Sequence, residues 1–153
     1  MNPKFREAVE SLHPKLEQLL ASAPHIGGIR RAELAVKGVY LFCENAKAWY
    51  IGRSNNIPRR YGHHTRPGSP VNQAAFARLM ACRTCEIEPD YRRGARERLA
   101  DHLTFWDEFR KAKDRIRAME FRAVEECDQT RQALLEIYCA ITLETSFNDF
   151  GTH

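Results

Sequence analysis

The chain has 153 residues, 43% of them apolar, with 24 basic and 20 acidic side chains and a formal net charge of +4. That length suits one domain with a sizeable core, and the charge bias is too small to mark a nucleic-acid binder by itself. No apolar run reaches the length of a membrane span, the N-terminus lacks the apolar core of a secretory signal, and five scattered cysteines read as the reduced thiols of a cytoplasmic protein.

Residues 3–22 place Phe5, Val9, Leu12, Leu16, Leu19 and Leu20 at helical spacing. Pro14 inside that pattern predicts a kink or two shorter helices. This extension, residues 1–30, is expected to pack on a sheet and cover an edge; a DNA-contacting arm is the alternative. Residues 38–43 and 49–52, aromatic and β-branched, flank a short polar link and read as a β-hairpin. The chain then turns through Ser54, Asn55 and Asn56. It starts a helix near Pro58, which carries Arg59, Arg60, His63 and His64.

Residues 67–114 are expected to be helical, with one helix over 71–82, a loop over 86–93 and a second helix over 95–113. The buried stripe of that second helix reads as Leu99, Leu103, Trp106 and Phe109 or Arg110. Residues 115–124 are rich in β-compatible side chains and predict a third strand. Asp128 or Thr130 then caps a helix reaching about residue 143, with Leu134, Ile137, Tyr138 and Ile141 as its packed face and Glu136 off the centre of that stripe. The order is helix, β-β-α, two helices, β, α. That is an α+β fold, a small three-stranded sheet with helices around it.

The hairpin carries a pattern. Gly38-Val39-Tyr40 is followed, tyrosine to tyrosine, ten residues later by Tyr50-Ile51-Gly52; Arg60 stands ten residues beyond the second tyrosine and His64 four beyond that. Glu136 and Asn148 lie in a late helix and just after it. These positions, in this order, resemble the signature of the GIY-YIG nuclease superfamily. The resemblance covers roughly residues 37–150, and the long helical insertion at 67–114 departs from the family's shorter connection.

The resemblance implies a divalent-metal-dependent endonuclease acting on DNA, with Mg²⁺ or Mn²⁺ held by Glu136. Such an ion can be bound through a single carboxylate because it keeps its waters. Arg60 holds the scissile phosphate with a fork of donors that stays charged. Tyr40 and Tyr50 bracket the nucleophilic water, with Tyr40 favoured as base. A phenol with a pKa of about 10 needs a nearby cation for that role. His64 relays a proton or binds phosphate. Gly52, Arg53, Arg59 and Asn148 are the candidate substrate contacts, Asn148 alternatively fixing structure near Glu136. A catalytically inactive nucleic-acid-binding module of the same fold is the competing reading, and an interaction protein using the insertion helices is a third. Cys82 and Cys85 form a CxxC, half a zinc site at most, and no structural zinc is expected.

Two tyrosines serve one site only if they share a sheet face. Directly opposed, Tyr40 and Tyr50 require an odd-length loop, whereas a two-residue Asn45-Ala46 turn puts them on opposite faces unless a bulge intervenes. Alanine resists the positive φ such a turn needs, so an odd loop or a compensating bulge is predicted.

Overall fold

The computed structural model describes residues 1–151. The elements are α1 (Pro3–Glu10), α2 (Leu12–Ala21), a short 3₁₀ turn, β1 (Gly38–Glu44), β2 (Lys47–Ser54), α3 (Ile57–Thr65), α4 (Ala75–Thr84), α5 (Ala95–Arg98), α6 (Leu103–Ala118), β3 (Glu120–Glu125) and α7 (Gln129–Thr142). The fold is α+β, with an open antiparallel sheet in the order β2-β1-β3. The chain divides into two compact units, Met1–Arg60 with Met119–Asn148, and Tyr61–Ala118 with the tail from Asp149. Among the described residues no helix is long and apolar enough to cross a membrane.

The first unit is built on the sheet. Val39, Leu41, Ile51 and Val124 on one face meet Leu12, Leu16 and Leu19 of α2 and Leu135, Cys139 and Ala140 of α7. The N-terminal extension is two helices broken at Ser11. Pro14 is not the break; it falls in the first turn of α2, where its missing N–H is harmless. Past α2 the extension covers the β3 edge: His25 and Phe121 exchange both backbone hydrogen bonds at 2.8 Å, and Arg122 donates to the carbonyls of Leu20 and Ser22.

The packed face of α7 matches the expected one in part: Leu134 and Tyr138 pack against the core, but the centre of the face is shifted. Gln132, Leu135, Cys139 and Ala140 are buried, while Ile137 and Ile141 are 43% and 71% exposed. The helix offers two apolar stripes, and the one with small side chains faces inward, where it can lie close to the sheet. That rotation turns Glu136 inward, leaving its side chain 19% exposed.

The hairpin turn is the two-residue Asn45-Ala46 link, both residues at positive φ (52° and 61°); the expected odd-length loop does not form. Alanine tolerates this at a cost of about 1–2 kcal/mol. The bulge does form. Pairing runs Glu44↔Lys47 and Cys43↔Ala48, then slips to Phe42↔Tyr50 and Tyr40↔Gly52. Trp49 is the extra residue, and its ring stacks on Phe147 at 5.4 Å. Tyr40 and Tyr50 thus share a face diagonally rather than directly opposed, with ring centroids 6.5 Å apart.

In the second unit α4 packs against α6. The inner stripe of α6 is Phe105, Phe109, Ala112 and Ile116, at helical spacing; the expected Leu103 is 78% exposed. The single helix expected over 95–113 is interrupted. His102 accepts the Phe105 N–H at 3.0 Å and so caps a new start. Residues 115–118 are helical, not strand, because Ile116 continues the buried stripe and its burial outweighs local β preference. The helix expected over 71–82 starts later, at Ala75. Buried Lys113 donates to the carbonyls of Pro67 (2.6 Å) and Ser69 (3.1 Å), tying that loop to α6.

Candidate active site

Four elements of the first unit supply the site: β1 gives Tyr40, β2 gives Tyr50, Gly52 and Arg53, the first turn of α3 gives Arg60, and α7 gives Glu136. Gly52 pairs with Tyr40, and the Tyr40 ring lies over it. A Cβ on Gly52 would fall 2.3 Å from the Tyr40 hydroxyl and 2.4 Å from Cζ. Only glycine lets that ring cross β2, the outer strand. Gly38 is constrained by backbone instead: its φ is +149°, and a Cβ there would meet the Val124 carbonyl at 1.9 Å.

Arg60 joins the tyrosines. Its Nε donates to the Tyr40 hydroxyl at 3.3 Å, and the guanidinium also donates to Tyr50. Burial works to lower the Arg60 pKa, but the two hydroxyls outweigh it and the net shift is upward. Tyr40 is 1% exposed. Burial above all, then the neighbouring Tyr50, pushes its pKa up, and Arg60 offsets this only in part. Tyr50 is half-buried, so water reaches it more readily than Tyr40.

Glu136 Oε2 accepts from Arg53 Nε at 3.0 Å. Burial raises the Glu136 pKa, while Arg53 and then Arg60 pull it down. Glu136 in turn acts on Tyr40 through its charge, so carboxylate, guanidinium and phenol form one electrostatic group. Glu136 Oε1 accepts no hydrogen bond among the described residues. Those residues contain no cluster of three His, Cys, Asp or Glu side chains able to hold a metal. A lone, partly accessible carboxylate oxygen fits a hard ion that retains its waters, as Mg²⁺ or Mn²⁺ does, and does not fit zinc.

Other expected site residues fall elsewhere. Asn148 spends both ends of its amide on Ile51, accepting from its N–H at 2.9 Å and donating to its carbonyl at 2.8 Å. With Phe147 N–H bonded to the Trp49 carbonyl at 3.0 Å, the segment after α7 is tied to β2 at two places. Asn148 therefore holds β2 in place, the structural role given above as the alternative to a substrate contact. Arg59 is exposed on a turn whose N-terminus is capped by Asn56, which accepts the Arg59 N–H at 3.1 Å. His64 belongs to the second unit and is fully buried, so no proton exchange with water is assigned to it. Cys82 and Cys85 close α4, and burial raises both thiols.

Gln132 escaped the sequence reading. It is buried, and its Nε2 donates to the Glu126 carbonyl (2.7 Å) and to Asn55 Oδ1 (3.2 Å). It thereby fixes the start of α7, one turn before Glu136, against the turn that leads into Arg60. A polar residue four positions before Glu136 on the inward face was the available signal.

No protein-family model, curated protein or solved structure matches this chain. The site therefore rests on its own geometry.

Asn148→Ala removes two hydrogen bonds that hold β2. At about 1 kcal/mol each, the variant is expected to lose about 2 kcal/mol in urea denaturation. An unchanged midpoint would show that the tail does not brace the strand.

Proposed function

We propose that this protein is a divalent-metal-dependent endonuclease that hydrolyses phosphodiester bonds in DNA, with a GIY-YIG-like site. The observation that carries the reading is Arg60 donating to the hydroxyls of both Tyr40 and Tyr50, with the inward-turned Glu136 in the same electrostatic group.

In this reading Arg60 has two roles. Its five N–H donors suffice to hold both hydroxyls and an oxygen of the scissile phosphate. Its charge also favours the phenolate of Tyr50. The half-buried Tyr50, as its phenolate, takes the proton of the attacking water as the water oxygen bonds to phosphorus. The bond from phosphorus to the leaving oxygen breaks, and that oxygen takes a proton from solvent. Tyr40, kept protonated by burial, positions Arg60 and is not the base. Arg53 and Arg59 contact flanking phosphates. Glu136 would hold a Mg²⁺ or Mn²⁺ ion, which would supply charge neutralisation at the phosphate and stabilisation of the leaving oxygen.

The ion pair between Arg53 and Glu136 favours a second reading, because it already engages the metal-binding carboxylate. A module that binds nucleic acid without cutting it would keep that pair closed. Cleavage of a panel of duplex, branched, single-stranded and RNA substrates with Mg²⁺ or Mn²⁺ separates the two; binding without cutting on every substrate would favour the second.

Arg60→Lys keeps the charge and loses the fork. Cleavage is expected to fall about 10²-fold, while DNA affinity changes far less. The logarithm of affinity should fall linearly with the logarithm of salt concentration. Full activity in the Lys variant, or salt-insensitive binding, would remove Arg60 from the phosphate.

A further inference from the structure

The second unit contains a cavity of about 520 Å³ walled by α4, the loop after it and α5, a size typical of small-molecule sites. Five arginines and three carboxylates line it, and they divide into a frame and a remainder. In the frame, Arg92 grips Asp90 through Nε and Nη2 (3.0 and 3.2 Å), and Arg98 Nε adds 2.7 Å. These hydrogen bonds hold the Asp90 carboxyl well below the ordinary range. Arg98 spends its other donors on the carbonyls of Arg93 (3.0 Å) and Arg92 (3.3 Å).

The remainder is Arg78, Arg93 and Arg96, with Glu88 and Glu97. Arg78 is held but not satisfied. Its guanidinium lies 4.5 Å over the Tyr91 ring, and that ring is fixed by its hydroxyl donating to Asp149 at 2.6 Å. Arg78 Nε is buried with no hydrogen-bond partner. A desolvated donor without an acceptor is costly, and a guanidinium fork is matched by a phosphate or carboxylate. The Arg93 and Arg96 side chains form no ion pair or hydrogen bond among the described residues. A bare anion would leave most of the volume empty, and Val71, Ile87 and Leu99 give the cavity an apolar wall. Glu88 and Glu97 are acceptors only, suited to hydroxyl donors such as those of a sugar.

We propose that this cavity binds a nucleoside monophosphate, with its phosphate on Arg78, Arg93 and Arg96, its sugar hydroxyls on Glu88 and Glu97, and its base against the apolar wall. The proposal is independent of cleavage and is tested without metal or DNA. Calorimetric titration of the full chain with AMP is expected to show binding roughly tenfold tighter than that of adenosine or inorganic phosphate, and Arg78→Met should weaken AMP by a similar factor. AMP binding no tighter than phosphate would overturn the nucleoside assignment, and no binding, or unchanged affinity in Arg78→Met, would overturn the site. If circular dichroism shows Arg78→Met to be unfolded, the double variant Arg93→Gln, Arg96→Gln decides, because both side chains are uncommitted. Its AMP affinity should drop, and wild-type affinity there would refute the proposal.

Discussion

Gly52→Ala is expected to lose stability and cleavage together. The added methyl has nowhere to go, since its position lies 2.3 Å from the Tyr40 hydroxyl and 2.4 Å from Cζ. The Tyr40 ring cannot yield easily, being buried between Phe42 and Phe121 at centroid distances of 6.0 and 5.6 Å. Either the ring or the strand must shift. Overpacking of this kind costs about 1–3 kcal/mol, readable in the denaturation midpoint. A displaced Tyr40 also releases Arg60, so cleavage should fall far more than stability alone explains. A stable, fully active Gly52→Ala protein would show that the ring does not need to cross β2.

Glu136→Gln is expected to separate function from stability in the other direction. Burial raises the pKa of Glu136 despite Arg53 and Arg60, so the native state penalises its charge. That penalty is fully present above the raised pKa and vanishes below the ordinary carboxylate value. Glutamine removes it, and at neutral pH the variant should be no less stable than the parent. Cleavage should nevertheless drop by about 10³-fold or more, because a neutral amide is a poor ligand for a hard cation. Full activity in Glu136→Gln would dismiss the residue, and a large loss of stability would mean that the Arg53 pair outweighs burial.

The sequence was most informative where one segment carries its own constraint. The hairpin and the need for either an odd-length loop or a bulge between Tyr40 and Tyr50 follow from local alternation, and the helix bearing Arg60 follows from Pro58 at its start. Of the loop and the bulge, the structure takes the bulge and keeps the two-residue turn, because the penalty for Ala46 at positive φ is small beside the pairing it permits. Where two local patterns compete, the sequence could not choose. In α7 the stripe of Ile137 and Ile141 looked as apolar as that of Leu135 and Cys139, and only the sheet selects between them. In α6 the β-compatible side chains at 115–118 hid a continuing helical stripe through Ile116. Gln132 and the partner of Asn148 were opaque for another reason. The partners concerned, Asn55 and Ile51, lie far away in sequence, and nothing local reports a tail folding back on a strand edge.

The site joins Tyr40, Tyr50 and Arg60 by hydrogen bonds and brings Glu136 within their field. Phosphodiester hydrolysis is the central claim, and nicking of supercoiled plasmid DNA by the purified chain tests it most directly. Relaxed and linear products should accumulate with Mg²⁺ or Mn²⁺ and cease when EDTA is added. Intact supercoiled plasmid under every metal condition, or cleavage that EDTA leaves unaffected, would contradict it.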